Sequence, residues 1–186
     1  MRTTPALIVL SMLLNTAACG TAVAPVCQGA GCACTSAACG CTNGSCTQTC
    51  TSSGCASNCS QNATCAVSVG EASSVTCDTT STCNGTVGAN SVVTCANSAV
   101  CNFTGGAKTS VTCSNSADCD ATVGADSTIT CNNSAECHAK CSGACAVTCN
   151  ENSKCRCEGA GCKVVCASGA APKTCADGRV VCNRDC

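Results

Sequence analysis

Two series of cysteines repeat every 18 residues: Cys59, Cys77, Cys95, Cys113, Cys131 and Cys149, and, six residues further on, Cys65, Cys83, Cys101, Cys119, Cys137 and Cys155. A fixed period of this length is the signature of a solenoid, in which one repeat is one coil and equivalent side chains stack. Each unit divides into three hexads, as in Cys95-Ala-Asn-Ser-Ala-Val, Cys101-Asn-Phe-Thr-Gly-Gly and Ala107-Lys-Thr-Ser-Val-Thr. The first and fifth positions are small or apolar and are expected to face inward. The fifth positions form three columns, typified by Val69, Val87 and Val123, by Val75, Val93 and Ile129, and by Ala99, Ala117 and Ala135. Between them fall Asn97, Asn115 and Asn133, then Gly70, Gly88, Gly106 and Gly124, then Asn84, Asn102 and Asp120. These residue types tolerate bent or left-handed backbone, so they mark three corners. The pattern predicts an all-β, disulfide-rich β-solenoid over residues 59–156, with three short strands in each 18-residue coil.

The hexads resemble those of the hexapeptide-repeat β-helix proteins, with Cys or Ala where that family places Ile, Leu or Val. The resemblance implies a triangular coil for about half of the chain. With 29 Cys, one Phe, no Trp and no Tyr, an ordinary aromatic core is excluded. Coils about 4.8 Å apart would bury only small side chains, so disulfides must supply much of the stability. Each contributes about 2–3 kcal/mol for loops of this size on the chain-entropy model. Two pairings are open: within a coil, as Cys95 with Cys101, or between coils, as Cys77 with Cys95. The first is favoured because the Asn-Ser-Ala segment can fold the ends together, and because the beetle antifreeze solenoids look similar in closing Cys across six residues. One coil departs from its siblings: it carries Phe103 and Gly105 where others read Gly85 and Val87, or Ala121 and Val123. Either Phe103 fills the space a valine vacates, or it sits at a corner in solvent.

Outside the repeat, cysteines crowd too closely for strands of normal length. Residues 27–58 and 157–186 therefore read as irregular, looped, Cys-rich caps, the ends a solenoid needs to avoid edge-to-edge association. The start of the chain has a different character. Arg2 and the apolar run Ala6 through Leu14 have the form of a signal peptide, residues 1–18. Thr16-Ala17-Ala18-Cys19 resembles a bacterial lipobox, which implies lipidation of Cys19, with residues 19–26 as a tether; ordinary signal-peptidase cleavage after Ala18 is the alternative. Removing Cys19 leaves 28 cysteines, an even number able to pair completely. Gly20 is unlike the Asp that retains lipoproteins at the inner membrane, so the resemblance implies a bacterial cysteine-rich repeat lipoprotein of the outer membrane. Failing lipidation, a periplasmic or extracellular location follows from the cysteine content.

Three features bear on chemistry. The spacings Cys32-Ala-Cys34, Cys39-Gly-Cys41 and Cys155-Arg-Cys157 resemble metallothioneins, although an oxidising compartment favours disulfides over thiolate metal sites. Asp118, Asp120, Glu136 and His138 fall on outward positions of successive coils, beside Lys154 and Arg156. They constitute either a divalent-metal site or a surface charge ladder. Finally, Thr76, Thr94, Thr112, Thr130 and Thr148 form a ladder that resembles ice-binding faces, although only Thr128 and Thr130 make a full Thr-x-Thr pair and Thr is favoured in strands generally. The formal net charge is −1 and aromatics are nearly absent, so the electrostatic and stacking basis of nucleic-acid binding is missing. No nucleophile-base motif or phosphate-cradling loop points to an enzyme, and no cofactor is implied. The expected function is a rigid, non-enzymatic structural or interaction module whose membrane contact is its lipid; exported metal binding and ice binding are the alternatives.

Overall fold

The computed structural model describes residues 24–167 and 169–186, so the leader, Cys19 and most of the tether lie outside it. The described residues form a β-solenoid of about seven turns, without helix. Its strands lie in two facing sheets. A broad ten-stranded sheet holds the six-residue strands, such as Val100–Gly105 and Asp118–Val123. A narrow nine-stranded sheet holds shorter ones, such as Val92–Cys95 and Ser110–Cys113. Neighbouring strands are parallel and in register at the repeat period: Cys101 lies beside Cys83 and Cys119, and Cys113 beside Cys95 and Cys131.

Each coil therefore has two strands rather than the three expected. The expected corner at Asn84, Asn102 and Asp120 is mid-strand, on the outer surface. Alternation explains this. Cys101 and Phe103 point inward and are buried, so Asn102 between them points outward without any bend. Asn102 donates its Nδ2–H to Asn84 Oδ1 at 2.8 Å, forming a ladder between coils.

The two real corners are built differently. From narrow to broad sheet, the chain turns through Ala96-Asn97-Ser98-Ala99. Asn97 and Ser98 are both left-handed (φ 53° and 61°), and the Ala99 N–H reaches the Ala96 carbonyl at 3.1 Å. These are the features of a type I′ turn. Asn115 and Ser116 repeat it, as do Asn133 and Ser134. The asparagines also bond along the rod, Asn133 to Asn115 and Asn115 to Asn97, each at 3.0 Å.

At the return corner the left-handed residue is Ala72, Asn90, Lys108 or Asp126, two positions after the glycine. The glycines serve close approach instead: a Cβ on Gly88, Gly106 or Gly124 would lie 2.5–2.7 Å from the backbone nitrogen of the coil beneath. This corner also shifts the inward phase, so Ala107 is exposed while Thr109 is buried. Ser73, Ser91 and Ser127 occupy the same column as Thr109. Their hydroxyls accept N–H bonds from the preceding coil, as in Ser73 N–H to Ser91 Oγ at 3.1 Å, which satisfies them where water is excluded.

Disulfides run down the interior. Cys59–Cys65, Cys77–Cys83, Cys95–Cys101, Cys113–Cys119, Cys131–Cys137 and Cys149–Cys155 each bracket one narrow-to-broad turn and join the two sheets. The remaining apolar space is filled by Val, Ala, Phe103 and Ile129.

The Cys-rich ends depart from the looped reading. Ala38–Thr42 is a strand parallel to Ala56–Ser60, and Ser45–Cys50 is parallel to Thr64–Val69, so the stack begins before Cys59. The close cysteines span turns rather than replace strands, as in Cys41–Cys46 and Cys50–Cys55. Beyond them the direction reverses. At one end Val26–Gly29 pairs antiparallel with Ser45–Cys50 and Cys32–Cys34 with Ala38–Thr42, and at the other Val180–Cys182 pairs antiparallel with Lys154–Glu158. Reversal covers strand edges that a further parallel coil would otherwise extend.

Phe103 is buried, 5% exposed, between Gly85 and Ala121 in the neighbouring coils. The space left by a missing valine at Gly105 goes to Thr109, whose side chain would stand 2.8 Å from a Cβ placed there. Sibling coils combine valine with serine, as Val87 with Ser91 and Val123 with Ser127; this one combines Gly105 with Thr109. Gly105→Val alone is expected to destabilise the protein by about 1–3 kcal/mol through overpacking. Adding Thr109→Ser should recover most of that loss. A double-mutant cycle on urea unfolding of the oxidised protein checks the coupling.

Candidate functional site

Charge is concentrated on one part of one face. On the outer surface of the broad sheet, the early coils carry short neutral residues: Thr64, Ala66 and Ser68, then Thr82, Asn84 and Thr86. From Asp118 onward ionisable groups enter these columns. Parallel register sets Asp118, Glu136 and Lys154 in one column and Asp120, His138 and Arg156 in the next. The four residues marked by the sequence, Asp118, Asp120, Glu136 and His138, therefore lie on adjoining strands.

The imidazole of His138 is engaged on both sides. Nδ1 lies 2.9 Å from Asp120 Oδ1, and Nε2 lies 3.2 Å from Glu136 Oε1. Arg184, from the C-terminal segment, places Nη1 2.6 Å from Glu136 Oε1 and 2.7 Å from His138 Nε2. Arg156 turns to Glu158 on its own strand. The arrangement is an ion-pair network on a partly exposed surface, and a metal ion there would have to displace Asp120 or Arg184 from the imidazole. Arg184 was not visible in the sequence pattern because it lies outside the repeat, 46 residues from His138.

Two carboxyls respond to this field in opposite directions. Asp118 is pushed above its ordinary value, first because neighbouring atoms strip part of its hydration and then because Asp120 stands beside it; His138 opposes the shift. Glu136 is also partly desolvated, but the combined pull of Arg184 and His138 outweighs that and holds its carboxyl below the usual range. Between the 102-120-138-156 column and the next, side chains wall a trough of about 480 Å³ lined by Asn102, Thr104, Asp120, Thr122, His138, Arg156 and Glu158.

The cysteines read as possible thiolate ligands are in disulfides: Cys34–Cys39, Cys41–Cys46, Cys157–Cys162, Cys27–Cys32 and Cys149–Cys155. The threonine ladder Thr76, Thr94, Thr112, Thr130 and Thr148 stacks in register on the narrow sheet, where each residue is half-buried. The broad sheet carries a second hydroxyl column, Thr49, Ser68, Thr86, Thr104 and Thr122, which the sequence reading passed over. Its period was visible, but its outward direction depended on the strand assignment.

No protein-family model, no curated protein and no solved structure matches this chain.

The two shifts give opposite linkage. A lowered carboxyl stabilises the fold above its unfolded-state value, and that contribution is lost as pH falls through its folded-state value; a raised carboxyl opposes the fold until it is protonated. At about pH 7, Glu136→Gln is expected to lower Tm and Asp118→Asn to raise it, both modestly because the groups are near solvent. Thermal unfolding of the two variants, read against the parent at that pH, checks the signs.

Proposed function

We propose that the chain is an exported, lipid-anchored protein of the bacterial outer membrane whose solenoid serves as a rigid, non-enzymatic spacer or interaction surface. The reading is supported above all by cysteine pairing. All 28 cysteines among the described residues are joined in 14 disulfides. A reducing cytosol would not maintain such a set, which favours an extracytoplasmic or envelope location.

Of the chain's 29 cysteines, Cys19 is the one that lies outside the described residues. Cys19 stands directly after small residues at the end of an apolar leader, where a lipid is the fitting modification. Two sheets tied together in every coil resist bending, as suits a spacer. The outer faces carry short polar and charged residues rather than aromatic anchors, so adhesion through a buried hot spot is disfavoured. The near-neutral net charge likewise disfavours nucleic acid as a partner.

Intact mass of the mature protein from membranes, before and after reduction, tests the proposal. The expected N-terminus is Cys19 bearing acyl chains, with two hydrogens gained per disulfide on reduction. Cys19→Ser should shift the protein from the membrane to the soluble fraction while leaving its disulfide count unchanged. A mature chain that begins at Cys19 without lipid, or that remains in the cytosol as free thiols, would overturn it.

A further inference from the structure

We infer that Cys141, Cys145, Cys157 and Cys162 form a redox-gated site for one tetrahedral, thiophilic metal ion, closed while they are two disulfides and available once both are reduced. The bridges Cys141–Cys145 and Cys157–Cys162 close the return corners of two successive coils. Their four Sγ atoms lie within 4.8 Å of one another, and Cys141 Sγ stands 3.7 Å from Cys157 Sγ. In a tetrahedral tetrathiolate, metal–sulfur bonds of about 2.3 Å set the sulfurs about 3.8 Å apart. The spacing between the pairs therefore already suits such an ion. Reduction has only to part the two sulfurs within each pair.

Coil closure does not account for these four cysteines. In register with Cys141 and Cys145, the preceding coil carries Val123 and Ser127, and its corner turns without sulfur. Cys50–Cys55 also bridges a return corner, but the coil that follows it carries Val69 and Ser73 in place of a second pair. Clusters such as Cys59, Cys77 and Cys83, or Cys27, Cys34 and Cys39, bring three sulfurs together rather than four. The chain spacing fits as well. Cys141-Ser-Gly-Ala-Cys145 and Cys157-Glu-Gly-Ala-Gly-Cys162 fall within the range of about two to four residues that separates paired zinc ligands.

The corners keep their place without their own bridges. Cys145–Cys149 is parallel to Cys162–Cys166, and the Cys145 N–H donates to the Gly161 carbonyl at 3.2 Å. Cys131–Cys137, Cys149–Cys155 and Cys166–Cys182 remain on either side. A reductant and an ion also have a way in. Cys162 is half-buried, and Cys145 lines a surface cavity of about 330 Å³ with Gly161 and Lys163. The adjacent staples offer no such approach, since Cys131, Cys137 and Cys155 are fully buried and Cys149 is 1% exposed.

The chemistry balances with a dithiol as reductant. Two molecules each supply two electrons and two protons, so both S–S bonds break to four thiols and each dithiol leaves as its own disulfide. The ion then forms four bonds to sulfur as four protons pass to water. Four sulfur donors, with no oxygen or nitrogen among them, select zinc, cadmium or copper(I) over calcium or magnesium.

The test starts from the oxidised full chain, reduced under argon with dithiothreitol until peptide mass mapping shows both corner bridges open. Gel filtration removes the reductant before titration with Co²⁺. One ion is expected per chain, with the intense visible bands of tetrahedral cobalt and sulfur-to-cobalt charge transfer, both abolished by added Zn²⁺. Zn²⁺ should also slow iodoacetamide labelling of the four thiols by about tenfold or more, because the metal takes up the reactive thiolates. Cys141→Val/Cys145→Ser reproduces the corner built by Val123 and Ser127, so it should fold and yet lose the cobalt bands. Cys34→Ser/Cys39→Ser and Cys50→Val/Cys55→Ser should retain them. Bands that survive the first variant, vanish in either of the others, or never appear once the four cysteines are free would overturn the inference. Corner bridges that outlast the coil staples during reduction would overturn it too.

Discussion

The bridge across each narrow-to-broad turn is the constraint on which the rest depends. A coil this thin cannot hold many large side chains; apart from Phe103 its apolar interior is Val, Ala, Ile129 and sulfur, beside the buried Ser73, Ser91, Thr109 and Ser127 column. Apolar burial at about 25 cal/mol per Å² is correspondingly small for each coil. The type I′ turn brings the two strand ends together, and the disulfide fixes them, so Cys95 and Cys101 define where one sheet ends and the other begins. Given that bracket, parallel pairing at the repeat period stacks the coils, and the Asn97, Asn115 and Asn133 ladder reinforces the same register. Turn chemistry, covalent closure and strand pairing all select one arrangement.

Rigidity leaves little scope for function inside the rod and places it on the surfaces and ends. The outer faces of the broad and narrow sheets are hydroxyl-rich and largely neutral over the early coils. On the outer surface of the broad sheet charge enters from Asp118 onward, where Arg184 of the C-terminal segment completes a network begun by the repeat. The ends differ from the middle in strand direction and in burial: the cysteines of the central coils are buried, whereas Cys34 and Cys186 are exposed.

Much of the fold was legible because the period was. The buried columns headed by Val75, Val87 and Ala99 follow directly from spacing, as does the stacking of Asp118 with Glu136 and of Asp120 with His138. The number of strands was not. Asn102 has the composition of a corner residue, yet its position between two inward residues keeps it in an extended strand, and alternation overrides turn propensity. The inward Ser73, Ser91, Thr109 and Ser127 column was hidden because hydroxyl residues read as outward unless a backbone N–H awaits them. Strands at the Cys-rich ends were hidden because bridges spanning five residues leave short intervals between cysteines without preventing extended backbone. Arg184 carried no periodic signal at all.

Disulfide connectivity in the central coils tests the account most directly. Acidic digestion of the oxidised protein, which suppresses thiolate exchange, followed by mass mapping of linked peptides, should return Cys77 joined to Cys83 and Cys95 joined to Cys101. Recovery of Cys77 joined to Cys95 would mean that sulfur ties one coil to the next rather than closing each turn, and would contradict it.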